Sequence, residues 1–241
     1  MTTPLDASQA IVEALLDAYR RGYFPMAEEH PPWRPSGGAH IYWPSPDPRG
    51  ILPLSPADGF HVPARLERRL RDGSFILRCD TAFDAVVRGC AQPRKESASA
   101  DAEGTWIDPT IRHWFNLLHR AGFAHSIEAW RRDPTTGDER LVGGLYGLAL
   151  GAAFFGESMF HTPRSRRPDG SRDPFDGTDA SKACLVTLVR HLDRLGFTLF
   201  DTQMVTPLVR RFGGREIPRR DYLHRLRAAV DAPEHWRSPC L

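Results

Sequence analysis

The sequence predicts an α+β fold with antiparallel strand pairs, on three observations. Apolar residues recur at helical spacing in five separate stretches, the longest near 181–195. Three apolar runs, 124–130, 141–150 and 152–158, are separated only by a polar turn at 133–140 and by Gly151, which reads as two consecutive hairpins. Residues 25–56 are rich in proline and aromatics, and so form an ordered, strapped region rather than regular structure.

Taken in order, Ser8 can cap a first helix carrying Ile11, Leu15, Leu16 and Tyr19 on one face, and Gly22 ends it. Prolines interrupt Ile41–Leu54 too often for a central strand. A small N-terminal domain, 1–59, is expected to close there, with a second domain over 60–241. In that domain Pro63–Asp72 reads as a helix stopped by Gly73, and Phe75–Arg78 as a short strand. Thr81 opens a helix with Phe83, Val86, Val87 and Cys90 along one face. Gln92–Gly104 is polar and reads as a mobile loop. Asp108 followed by Pro109 is an N-cap with proline at the first helical position, and that helix runs to Gly122. The hairpin strands come next. His161–Thr178, charged and rich in proline and glycine, is expected to be a flexible surface loop. A helix over Ser181–Leu195 stops at Gly196, a strand covers Thr198–Met204, and Arg219–Val230 is the last helix.

Composition narrows the function. The chain has 241 residues, 41% of them hydrophobic and 26% charged, so it can bury a core without disulfides and is not disordered. Its net charge of +2 gives no bulk cationic character, so a nucleic-acid partner must be held by a local patch. No apolar run reaches transmembrane length, and the acidic residues Asp6, Glu13 and Asp17 argue against a secretory signal, so no membrane partner is expected. Cys79, Cys90, Cys184 and Cys240 form no CxxC pair, which fits scattered thiols in a reducing cytoplasm. The histidines offer no HExxH motif, and neither a GxSxG elbow nor a Walker loop occurs.

Four constellations carry possible chemistry. Asp201 and Gln203 stand two apart in an apolar strand and therefore share a face, where polar groups are costly unless paired or used. Glu157 ends another apolar strand, in Gly156-Glu157-Ser158; taken alone it reads first as an edge carboxylate or an ion-pair partner, and otherwise as a site carboxylate. Gly143, Gly144 and Gly147 permit close approach of a ligand or of another backbone. Trp106, just before a helix cap, is either core or a stacking platform for a base. Arginine clusters at Arg65, Arg68, Arg69 and Arg71, and again over Arg210–Arg227; each is a solvated face or a phosphate-contact patch.

Most of the clustered arginines apart, these residues fall inside nine segments that, in order, resemble the leucyl/phenylalanyl-tRNA–protein transferases. The segments are GYFPM at 22–26, YWPSPDPRG at 42–50, GTWI at 104–107, LHRAGFAHSIEAW at 118–130, LVGGLYG at 141–147, FFGESMF at 154–160, ASK at 180–182, DTQ at 201–203 and EIPRRDYL at 216–223. The resemblance implies a small N-terminal domain followed by a domain similar to the GCN5-related acetyltransferases. It implies transfer of Leu or Phe, and less well Met, from aminoacyl-tRNA to an N-terminal Arg or Lys of a protein, which marks that protein for degradation. No metal or coenzyme is implied, since the charged tRNA is itself the activated donor, and a cytoplasmic monomer is expected. By the same resemblance, Asp201 and Gln203 are the catalytic pair and Glu157 a site carboxylate, while Leu145, Phe154, Gly156, Leu185 and Phe200 line the pocket for the donor side chain. Trp106 contacts the terminal adenosine, and Met26 stands where some members carry a second Trp. The chain departs from the family pattern at 161–178, which lengthens a short connection, and at Pro207, which replaces a common His. Two rivals remain at this point: a non-catalytic RNA-binding protein, and an acetyl-CoA-dependent acyltransferase. The second would need a pyrophosphate loop, for which Arg34-Pro35-Ser36-Gly37-Gly38-Ala39 matches in letters only, with no strand before it and no helix after.

Overall fold

The computed structural model describes residues 7–28, 40–92, 105–167, 170–171 and 173–239. The letter match at 34–39 and nearly all of the loop 92–104 lie outside these residues. A seven-stranded mixed sheet organises the chain. Its order is β4 (Ile76–Cys79), β5 (Ala124–Arg132), β6 (Glu139–Leu150), β7 (Ala153–His161), β8 (Leu199–Gln203), β3 (Arg49–Ile51) and β9 (Arg215–Ile217). The predicted hairpins are β5–β6 and β6–β7, and both are antiparallel. Among the described strands only β7 and β8 run parallel, because α5 (Ala180–Leu195) crosses between them. β1 (Met26–Glu28) and β2 (His40–Tyr42) form a separate two-stranded ribbon.

Helices cover both faces. On one lie α1 (Ala7–Arg20), α3 (Phe83–Cys90), α4 (Pro109–Arg120) and α7 (Arg219–Val230), burying Tyr19, Phe115, Tyr146, Phe155 and Tyr222. On the other α5 packs Leu185, Leu188 and Val189 against Leu145, Phe154 and Phe200, flanked by α2 (Ala64–Arg71). Local signals explain the boundaries. Asp108 accepts the Ile111 N–H at 2.7 Å, with Pro109 beginning α4. Gly196 ends α5 in the left-handed conformation. Gly143 and Gly144 turn out to be packing devices, since a side chain there would strike Ala180 of α5 and Val86 of α3.

Three expectations change. Arg49–Ile51 is an interior strand despite its proline-rich setting, because the four residues between Pro48 and Pro53 carry no proline and keep their N–H groups for the two ladders, Leu52 N–H reaching the Phe200 carbonyl at 2.9 Å. α6 (Pro207–Arg211) and β9 are too short to show periodicity and were not expected. The described part of 161–178 is fastened down rather than flexible. Thr162 N–H bonds the Val142 carbonyl at 2.8 Å, Arg167 pairs with Asp133 at 2.8 Å, and the Arg140 guanidinium stacks 4.3 Å from the Phe175 ring.

Candidate active site

Ladder pairing between β7 and β8 stops at Phe155 and Asp201. Beyond that point the strands part, and a cavity of about 680 Å³ opens through the sheet between them. Each bounding strand is bulged here. Tyr146 pairs with Ser158 and Gly147 with Gly156, so Glu157 is the extra residue of β7. Gly50 pairs with Gln203 and Ile51 with Asp201, so Thr202 is the extra residue of β8. A bulge re-aims a side chain, and both extra residues face the cavity. Gly147 is required there, since a Cβ would collide with the Phe155 carbonyl.

The walls come from both layers because the cavity passes through the sheet. Leu145, Leu185 and Phe200 enter from the α5 side; Met26, Trp106 and Tyr146 enter from the other. Trp106 is fixed to the small ribbon by its carbonyl, which accepts the Ala27 N–H at 3.1 Å. Gly156 is also a wall residue, and a Cβ there would stand 2.6 Å from the Phe200 ring. Phe200 points away from Asp201, as alternation requires, yet still reaches the cavity through the opened strands. Phe154 sits one layer back, edge-on to Phe200 at 5.4 Å.

Asp201 and Gln203 both turn toward the α1 and α7 side, but at different depths. Asp201 is wholly buried, and four donors fill its carboxylate. Arg49 binds it with two guanidinium nitrogens at 2.9 and 2.6 Å, the Tyr222 hydroxyl donates at 2.8 Å, and the Gln203 N–H donates at 2.8 Å. Arg49 is equally buried, donates to the Gly22 carbonyl at 2.9 Å, and lies between the rings of Phe24 and Tyr222. The Asp201 bond to the N–H two residues on closes a local turn. Gln203 at its end has φ +58, a left-handed conformation costing about 1–3 kcal/mol in a residue of this type, the sort of strain found at functional sites.

Gln203 lines the cavity and donates its amide N–H to Glu157 at 3.5 Å. Tyr19 from α1 donates its hydroxyl to the same carboxylate oxygen at 2.8 Å. Burial pushes the Glu157 carboxyl up to about 8; the Tyr19 bond and Arg49 oppose the rise, and nearby Asp201 adds to it. Arg49, Tyr222 and Tyr19 were not singled out from the sequence. Their signal was there in part: a lone Arg in an otherwise apolar, glycine- and proline-bearing run, like a lone Asp in an apolar strand, calls for an opposite charge.

The basic residues of α2 stand apart from the cavity walls. Arg69 pairs with Asp179 at 3.0 Å, while Arg65, Arg68 and Arg71 are exposed. No group of three or more His, Cys, Asp or Glu side chains suited to a metal occurs among the described residues.

One apolar-walled cavity with a strained carboxamide and a carboxyl of raised pKa converging on it is the arrangement of an enzyme site on an α+β scaffold. Comparison with known proteins gives the family. The model of the leucyl/phenylalanyl-tRNA protein transferase family matches residues 54–227. A leucyl/phenylalanyl-tRNA–protein transferase from Paramagnetospirillum magneticum is 47% identical over 218 residues, covering 90% of this chain and 88% of the relative. One from Nitrobacter winogradskyi is 42% identical over 231 residues, covering 96% and 88%. The chain belongs to the leucyl/phenylalanyl-tRNA protein transferase family.

Proposed function

We propose that this chain is an aminoacyltransferase that moves Leu or Phe, and less well Met, from aminoacyl-tRNA to the N-terminal Arg or Lys of proteins, marking them for degradation in the cytoplasm. We read it as a monomer in which a GCN5-related acetyltransferase-like domain, 60–241, receives strand β3 from the N-terminal unit, 1–59. The observation that carries the reading is the convergence of Gln203 and Glu157 on an apolar-walled cavity, in a chain with this family membership.

An aminoacyl ester is already activated. The acceptor α-amine attacks its carbonyl carbon, the new C–N bond forms, and the bond to the ribose oxygen breaks. Much of the acceleration is positioning, which is worth up to about 7–11 kcal/mol. With one amide N–H committed to Glu157, Gln203 offers its amide oxygen to an N–H of the amine and orients it. Glu157 takes the proton that the amine sheds once attack begins and hands that proton to the leaving ribose oxygen, which returns the carboxylate to its starting state. A carboxyl titrating near 8 suits that duty at neutral pH. Asp201 acts as a positioning residue, since its oxygens are already engaged and one of them holds the Gln203 backbone. Leu145, Gly156, Leu185 and Phe200 surround the donor side chain with Phe154 as backing, Trp106 and Met26 take the terminal adenosine, and Arg65, Arg68, Arg69 and Arg71 meet tRNA phosphates.

Acceptor choice tests this reading. Charged Phe-tRNA is supplied with peptides beginning in Arg, Lys or Ala, and with N-acetylated Arg peptide. Transfer to the free Arg and Lys peptides alone is expected. Transfer to none of them, or equally to the Ala and acetylated peptides, would remove it.

A further inference from the structure

Away from the cavity, a depression of about 200 Å³ lies between α2 and the segment 161–178. Arg65 and Arg69 of α2 form one side, Arg164 and Arg166 of the segment the other, and Asp176 is the acid among them. Asp176 is spoken for, its carboxylate accepting the Thr178 N–H at 2.8 Å and the Thr178 hydroxyl at 2.6 Å. Arg69 is anchored, with Nη1 on Asp179 at 3.0 Å and its guanidinium 5.6 Å from the Phe75 ring. Its Nη2 is buried and has no hydrogen-bond partner among the described residues. Arg164 and Arg166 sit on a braced turn. Ser165 between them donates to Asp173 at 2.9 Å, Asp173 accepts the Phe175 N–H at 2.8 Å, and Arg166 caps the Gly170 carbonyl at 2.7 Å.

Four guanidinium forks around one engaged carboxylate, one of them with a buried unused donor, match the geometry of a phosphate. Asp179 flanks the depression and Leu185 reaches the cavity. These residues are six apart along the start of α5, about 9 Å at ~1.5 Å per residue. We propose that the depression is a phosphate site that holds the sugar–phosphate backbone of the nucleic-acid donor while its charged end occupies the cavity, and that Arg164 and Arg166 supply half of it. This rests on the transferase reading above, and gives that segment a role the rest of the site does not require.

Binding of deacylated tRNA, titrated against potassium chloride, tests the proposal without any transfer step. Arg164→Ala/Arg166→Ala is expected to weaken binding several-fold and to flatten the salt dependence by about one unit for each phosphate no longer neutralised. Arg164→Lys/Arg166→Lys keeps the charge and is expected to recover most of that slope. Arg120→Ala/Arg194→Ala removes the same charge from positions elsewhere on the surface and serves as the control. The proposal is overturned if the first pair behaves like the control, or if the Lys pair is as impaired as the Ala pair, because the segment's shape would then be at stake rather than its charge. If the native chain transfers from charged tRNA while the slopes do not differ, only the phosphate site falls. If it neither binds tRNA nor transfers, the transferase reading falls and takes the site with it.

Discussion

Asp201 and Arg49 form a buried, bidentate ion pair, and breaking such a pair leaves an uncompensated charge in the interior. Asp201→Asn is therefore expected to lower unfolding stability by about 3–5 kcal/mol and to cut transfer sharply. Adding Arg49→Met removes the stranded guanidinium, so denaturant melts of the double variant should recover part of the stability while transfer stays low. Recovery of transfer as well would mean that Asp201 does not act by fixing Gln203. Glu157 makes a pH prediction. Its folded-state pKa lies above the ordinary carboxylate value, so the folded chain keeps a proton that the unfolded chain has released. This group's contribution to stability falls as pH rises from about 4.5 to about 8. Glu157→Gln should flatten that fall, gaining on the native chain between pH 5 and pH 8, and should lose the part of the rate's rise with pH that belongs to this carboxyl. Melts at the two pH values and a rate profile for both proteins check it. At this scale the sequence showed which polar residues were out of place in apolar strands, namely Asp201, Gln203 and Glu157. It did not reveal what satisfied them, because Arg49, Tyr222 and Tyr19 lie 152, 21 and 138 positions from their partners.

Elements set the depth and direction of these groups. Helix and strand spans were legible wherever apolar periodicity ran for two turns or more; the last helix, 219–230, matches residue for residue. Strand β3 was hidden because its three residues lie in a proline-rich run, and no period can be read from three. Bulges were hidden for a related reason: a one-residue slip in register is a property of the pair of strands, not of either alone. Two such slips put Glu157 and Thr202 at the cavity. Gly147→Ala tests this directly. A methyl group there meets the Phe155 carbonyl, so relaxing the clash must disturb the bulge that aims Glu157. Thermal unfolding is expected to show a loss of about 1–3 kcal/mol, as for overpacking elsewhere, with a larger proportional loss of transfer. Unchanged transfer would mean that the bulge does not set the carboxyl's position.

For the whole molecule, the cavity is a breach in a continuous sheet, made where its parallel pair stops and bridging both hydrophobic layers. In the proposed reading, that breach holds the donor's apolar side chain against Leu145, Leu185 and Phe200 and sets the polar chemistry against Gln203 and Glu157, all of which line the cavity. Leu145→Trp should fill the apolar end and depress use of Phe-tRNA more than use of Leu-tRNA, read as the ratio of the two kcat/KM values; an unchanged ratio would place the donor side chain elsewhere. In the proposed reading Gln203, facing this cavity, organises attack on an ester-linked amino acid. Mass analysis of an Arg-initiated peptide, after incubation with charged Leu-tRNA and either the native chain or Gln203→Ala, tests it most directly. The native chain should make the peptide heavier by one leucyl residue, and the variant should do so about 10²-fold more slowly or worse. An unmodified peptide with the native chain, or equal rates for the two proteins, would take that role away from Gln203.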